Sequence, residues 1–99
     1  MNRFVMNDKE FILCSAINYN GTIISGFRHS DCYKVLKELF AEPVLPGREH
    51  QGFLTSKNRF VDRKEGWKIA KENNQIKYGL KASENEDENE SILISENLY

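Results

Sequence analysis

Strand-forming and apolar residues run almost without interruption from Phe11 to Tyr19, stop at Asn20-Gly21, and resume from Thr22 to Phe27. Asn-Gly between two such runs is a strong signal for a two-residue hairpin turn, because both residues tolerate positive φ. The first run alternates only loosely, and Ile23 and Ile24 are adjacent, so one of these strands is expected to be buried on both faces, in the middle of a small sheet. Ser30 or Asp31 can cap a following helix, in which Cys32, Val35, Leu36, Leu39 and Phe40 fall at helical spacing. Pro43 disfavours helix at the residue before it, so the helix should end near Glu42 and residues 43–50 should form a connection with His50 at its end.

The second half repeats the device. Gly52 to Ser56 and Arg59 to Val61 read as short extended pieces joined through Lys57-Asn58, although neither turn residue is glycine. Asp62 followed by Glu65 is a capping arrangement for a second helix to Asn74, whose inward face is Gly66, Ile69, Ala70 and Asn73 with Trp67 beside it. Asn73-Asn74 can supply the left-handed residue that stops it, and Gln75 to Leu80 is a further candidate for extended chain. Residues 82–91 carry one apolar side chain, Ala82, and read as a flexible acidic loop. Ile92, Leu93, Ile94 and Leu98 then restore enough apolar character for a final strand or a docking tail. The order strand, strand, helix, hairpin, helix, strand predicts an α+β fold, a small mainly antiparallel sheet with two helices on one face.

Ninety-nine residues suit a single domain with one core. No apolar run approaches the ~20 residues that span a bilayer, and the N-terminus lacks a signal-peptide pattern, which together imply no membrane association and a cytoplasmic protein. Cys14 and Cys32 belong to no paired metal-binding motif and read as buried thiols; neither a metal site nor a cofactor is indicated. The net charge of −1 hides an asymmetry, since six of the fifteen acids lie in the last sixteen residues. Residues 1–83 therefore carry a net positive charge that can attract a phosphate ligand or a polyanion.

Candidate chemistry gathers at the two strand-to-helix junctions. Arg28 and His29 precede the first helix cap, where a guanidinium can clamp phosphate in a bidentate way and histidine can donate to it or stack on a base. Arg59, Asp62 and Arg63 flank the second helix start. A cation in the first helical turn opposes the helix dipole, which points to a ligand for Arg63 unless it pairs with Glu65 or Asp62. Asp62 suits a structural cap, and Phe60 beside Arg59 is the best candidate for stacking on a base. Helix N-termini present unpaired N–H groups to anions, so both junctions favour an anionic ligand. No phosphate-binding glycine loop, metalloprotease motif or paired catalytic carboxylate is present, and no enzyme is indicated.

The segments GFRHSDC and GFLTSKNRFVDRKEGWKIAKENNQI, with the ending SENLY, resemble small phage proteins of the Thoeris anti-defence protein one family; Gly66 stands where that pattern carries alanine. The resemblance implies an oligomeric phage anti-defence sponge that binds cyclic ADP-ribose isomers, and in some members cyclic oligonucleotides, without cleaving them, inside the infected bacterial cell. It also implies that Arg28 and His29 contact pyrophosphate or ribose and that Arg59 and Arg63 close on the ligand. Two other readings stand beside it. One is a nucleic-acid or host-protein binding module; the other is a small nucleotide-processing enzyme using His29.

Overall fold

The computed structural model describes residues 9–40, 47–79, 83–85, 87 and 90–99. β1 (Ile12–Tyr19) and β2 (Thr22–Gly26) form the first hairpin, α1 spans His29–Leu39, a 3-10 turn (Arg48–His50) leads into β3 (Gln51–Thr55) and β4 (Phe60–Asp62), and α2 spans Arg63–Glu72. A four-residue helix, α3 (Ser95–Leu98), closes the chain. The sheet is antiparallel throughout in the order β2-β1-β3-β4, an α+β architecture.

Both turns follow from local chemistry. Asn20 and Gly21 adopt φ of 50° and 90°, as the first hairpin requires, and the Asn18 side chain accepts the Gly21 N–H at 2.8 Å. The second hairpin has a three-residue loop: Asn58 N–H donates to Thr55 O, Thr55 N–H donates to Arg59 O, and Asn58 takes the left-handed conformation at φ 59°. Asparagine does here what glycine would do, because its short polar side chain tolerates that region.

β1 is the strand buried on both faces, with Ala16 and Ile17 fully inaccessible and adjacent; β2 lies at the edge, and its Ile23 is 39% exposed. A register shift between Ile12 and Cys14 leaves Leu13 unpaired and exposed. Both helices cover one face. Cys32 and Leu36 of α1 pack on Ile17 and Ile24, while Trp67, Ile69 and Ala70 of α2 pack with Ile12, Phe53 and Val61. Leu93 and Leu98 complete this second cluster, so the C-terminal segment is a docking tail, each leucine contributing about 1.5–3 kcal/mol by burial. Asn97 fixes the tail: its side chain accepts from Ile94 N and Ser83 Oγ and donates to Tyr78 O.

Several boundaries differ from expectation. The first helix begins at His29 with Arg28 as its N-cap, because the Asp31 carboxylate reaches back to the Arg28 N–H at 3.0 Å; Asp31 supports the start from the third helical position and is not itself the cap. The helix ends at Leu39, and the expected end at Glu42 and Pro43 lies outside the described residues. Asp62 caps α2 as expected, accepting from Glu65 N, and Asn74 supplies the left-handed stop at φ 54°. No strand forms over 75–79; instead the Gln75 side chain both accepts from Ile12 N and donates to Ile12 O at 2.8 Å, imitating a strand neighbour for β1. Leu80 lies outside the described residues. Within the stretch read as an acidic loop, Ser83 and Ser91 are buried, and residues 82, 86, 88 and 89 lie outside the described set.

Gly52 is required by close approach. A Cβ there would collide with the Val61 carbonyl oxygen and the Phe60 ring, which lies across it. Gly52→Ala should therefore destabilise the protein by about 1–3 kcal/mol in chemical denaturation; an unchanged midpoint would show that β4 can move away without cost.

Candidate functional site

The two apolar clusters are separated by a polar seam. Ser15 on β1 and Ser95 on α3 are almost fully buried, and His29 lies at the start of α1. His29 Nε2 sits 2.8 Å from the Gly52 carbonyl oxygen, which can only accept, so Nε2 carries the proton. Nδ1 is then an acceptor, and the Ser95 hydroxyl, 2.9 Å away, donates to it. Ser95 Oγ in turn accepts the His29 backbone N–H at 3.2 Å and faces Ser15 Oγ at 2.8 Å. Ser15 Oγ also lies within hydrogen-bond range of the Phe27 carbonyl, at 3.2 Å. Burial holds the His29 pKa below 6.5; the Gly52 bond and Glu96 oppose that shift, while the Arg63 charge reinforces it.

This seam fixes the walls of a pocket of about 390 Å³ on the helix-bearing side of the sheet. Arg28, His29 and Ser30 contribute from α1 and its cap, Gln51 and Arg63 from the second hairpin and α2, and Ile92, Ile94, Ser95 and Glu96 from the tail. A smaller hollow of about 160 Å³ shares Gln51, Arg63 and Ile92 with it and extends toward Lys64, so Arg63 stands where the two meet. Arg28 donates to the Tyr99 main-chain oxygen at 2.8 Å and lies 3.8 Å from the Glu96 carboxylate. Arg63 is half-buried, and its guanidinium makes no hydrogen bond or ion pair among the described residues, because Glu65 and Asp62 are engaged elsewhere.

Of the residues singled out from sequence, Arg28, His29 and Arg63 come together here. Arg59 does not: it forms a bidentate pair with Glu10, at 2.7 and 2.8 Å, and a second pair with Glu65. Phe60 lies on the opposite face of the sheet, its ring over Gly52. Asp62 is the α2 cap and borders only the smaller hollow. Sequence reasoning missed Gln51, Ser95 and Glu96; the polar Ser95, Glu96 and Asn97 inside an otherwise apolar ending were the available signal.

The phage T4 y16D protein family model matches residues 11–99, which takes in every strand and helix described above. The chain belongs to the phage T4 y16D protein family. No curated protein and no solved structure matches it. The y16D match includes both junctions and the tail, so all of the pocket lies within the family's span. Among the described residues of this y16D-family chain, no group of three or more His, Cys, Asp or Glu side chains could hold a metal, and no helix is long and apolar enough to cross a membrane.

Two measurements probe this arrangement. Ser95→Ala leaves the His29 N–H and Nδ1 without their partner, and should cost about 1–3 kcal/mol in chemical denaturation, whereas Ser30→Ala at the exposed rim should leave stability unchanged. The Glu10 carboxyl is held at about 2, below its ordinary 4.5, chiefly by the Arg59 hydrogen bonds and then by Thr55. Because the folded value lies below the unfolded one, this contribution is complete above pH 4.5 and disappears as pH falls toward 2. Denaturation midpoints measured across that window should fall less steeply in Glu10→Gln than in the wild type.

Proposed function

We propose that this y16D-family protein binds a small anionic ligand of the nucleotide class in the pocket between α1, α2 and the tail, and holds it without altering it. The observation that carries this reading is Arg63, a half-buried residue whose guanidinium forms no ion pair or hydrogen bond among the described residues, lining the same pocket as Arg28. Its N–H donors are not engaged by the protein, and a phosphate group arriving there would take them up in charge-assisted hydrogen bonds. Two linked hollows meeting at Arg63 suit an elongated ligand such as a pyrophosphate-bridged or cyclic nucleotide better than a single phosphate.

His29 supports holding over turnover. Both of its ring nitrogens are spent on Gly52 and Ser95, so it can neither take up nor deliver a proton without breaking the seam. Membership of a phage family accords with a role in the infected cell, and the resemblance to anti-defence sponges supplies a candidate ligand, a cyclic ADP-ribose isomer made as an immune signal. Sequestration would keep that signal from its effector.

Calorimetry against cyclic ADP-ribose isomers and cyclic dinucleotides, followed by heat denaturation and analysis of the released ligand, tests the reading. Intact ligand is expected, with affinity reduced on the order of 10–100-fold in Arg63→Ala and unchanged in Arg59→Ala. Altered ligand would make the protein an enzyme, and binding insensitive to Arg63 would place the ligand elsewhere.

A further inference from the structure

An anion pocket has no evident use for an acid, yet Glu96 lines this one. Its carboxylate is 56% exposed and lies 3.8 Å from Arg28 Nη1, the outer limit of an ion pair, while the other Arg28 terminal nitrogen is satisfied by the Tyr99 oxygen at 2.8 Å. No hydrogen bond to the Glu96 side chain exists among the described residues, so nearly all of its acceptor capacity is open. Its position is not loose. Ser95, the preceding residue, is held by His29 at two atoms and faces Ser15, which sets Glu96 at the pocket wall.

From this placement we infer that Glu96 is the specificity-determining residue of the pocket, selecting phosphate esters that carry sugar hydroxyls over bare phosphate or pyrophosphate. The inference rests on the anion site proposed above. Beside Arg28 and Arg63 the carboxylate offsets part of the positive potential and so weakens binding of any anion with no donor to offer. A ribosyl phosphate brings hydroxyl groups that donate to the carboxylate, and a hydrogen bond to a charged acceptor is stronger than one between neutral groups. Ile92 and Ile94 line the same pocket and give the non-phosphate part of such a ligand an apolar surface.

Calorimetry with two probes, inorganic pyrophosphate and ADP-ribose, decides the matter on the wild type, Glu96→Gln and Arg63→Ala. The wild type should prefer ADP-ribose, Glu96→Gln should bind pyrophosphate more tightly and lose on the order of tenfold of that preference, and Arg63→Ala should weaken both. Because Glu96 is exposed, Glu96→Gln should unfold at the wild-type temperature, which separates selectivity from folding. Equal shifts for both probes in Glu96→Gln, or no preference in the wild type, would overturn the role of Glu96 while leaving the anion site standing. Binding of neither probe, or binding unaffected in Arg63→Ala, would overturn the anion site and this inference with it.

Discussion

His29 spends one ring nitrogen on the Gly52 carbonyl of β3 and the other on the Ser95 hydroxyl of α3, so a single imidazole ties together segments 23 and 66 residues away in the chain. Ser95 extends the tie to Ser15 on the central strand. These groups occupy the line where the cluster under α1 ends and the cluster under α2 begins, and a polar seam in that place is tolerable only because every member has a partner. With the seam intact, the tail can bury Leu93 and Leu98 against Phe53 and bring Ile92, Ile94 and Glu96 to the pocket. Without it, the tail would retain apolar contacts but lose its register against α1.

The same constraint shapes the chemistry. Because the backbone of His29 is fixed at the first turn of α1, its cap Arg28 is presented beside the tail, and because Asp62 caps α2, Arg63 is presented in the first turn across from it. The two arginines differ in what they have left to give. Arg28 is partly committed to Tyr99 and Glu96, whereas Arg63 has no such commitment among the described residues, which makes it the dominant unbalanced charge of the pocket. Arg59 shows the contrast, since two carboxylates consume it and it serves the structure around Glu10 and Thr55.

Local signals in the sequence were readable where the chain makes its own decision. Asn20-Gly21, Asp62 with Glu65, and Asn74 each act within a few residues, and the turn, cap and stop they imply are all present. Arg28, His29 and Arg63 could be singled out because they sit beside helix starts, but sequence could not distinguish Arg63 from Arg59. That distinction depends on Glu10, whose pairing with Arg59 spans 49 residues. Phe60 was misleading for a related reason: in a strand, neighbouring side chains alternate between faces, and which face carries the helices is decided by the register with β3. Ser95 and Glu96 act through contacts to α1 that no local pattern encodes.

One pocket unites Arg28, His29 and Arg63 and leaves Arg59 outside it. Nitrogen-15 NMR of the arginine and histidine side chains during titration with ADP-ribose tests it most directly. Shifts of the Arg63 and Arg28 guanidinium signals and of His29 are expected, with Arg59 unmoved in its pairs with Glu10 and Glu65. Shifts at Arg59 with Arg63 unmoved would contradict it.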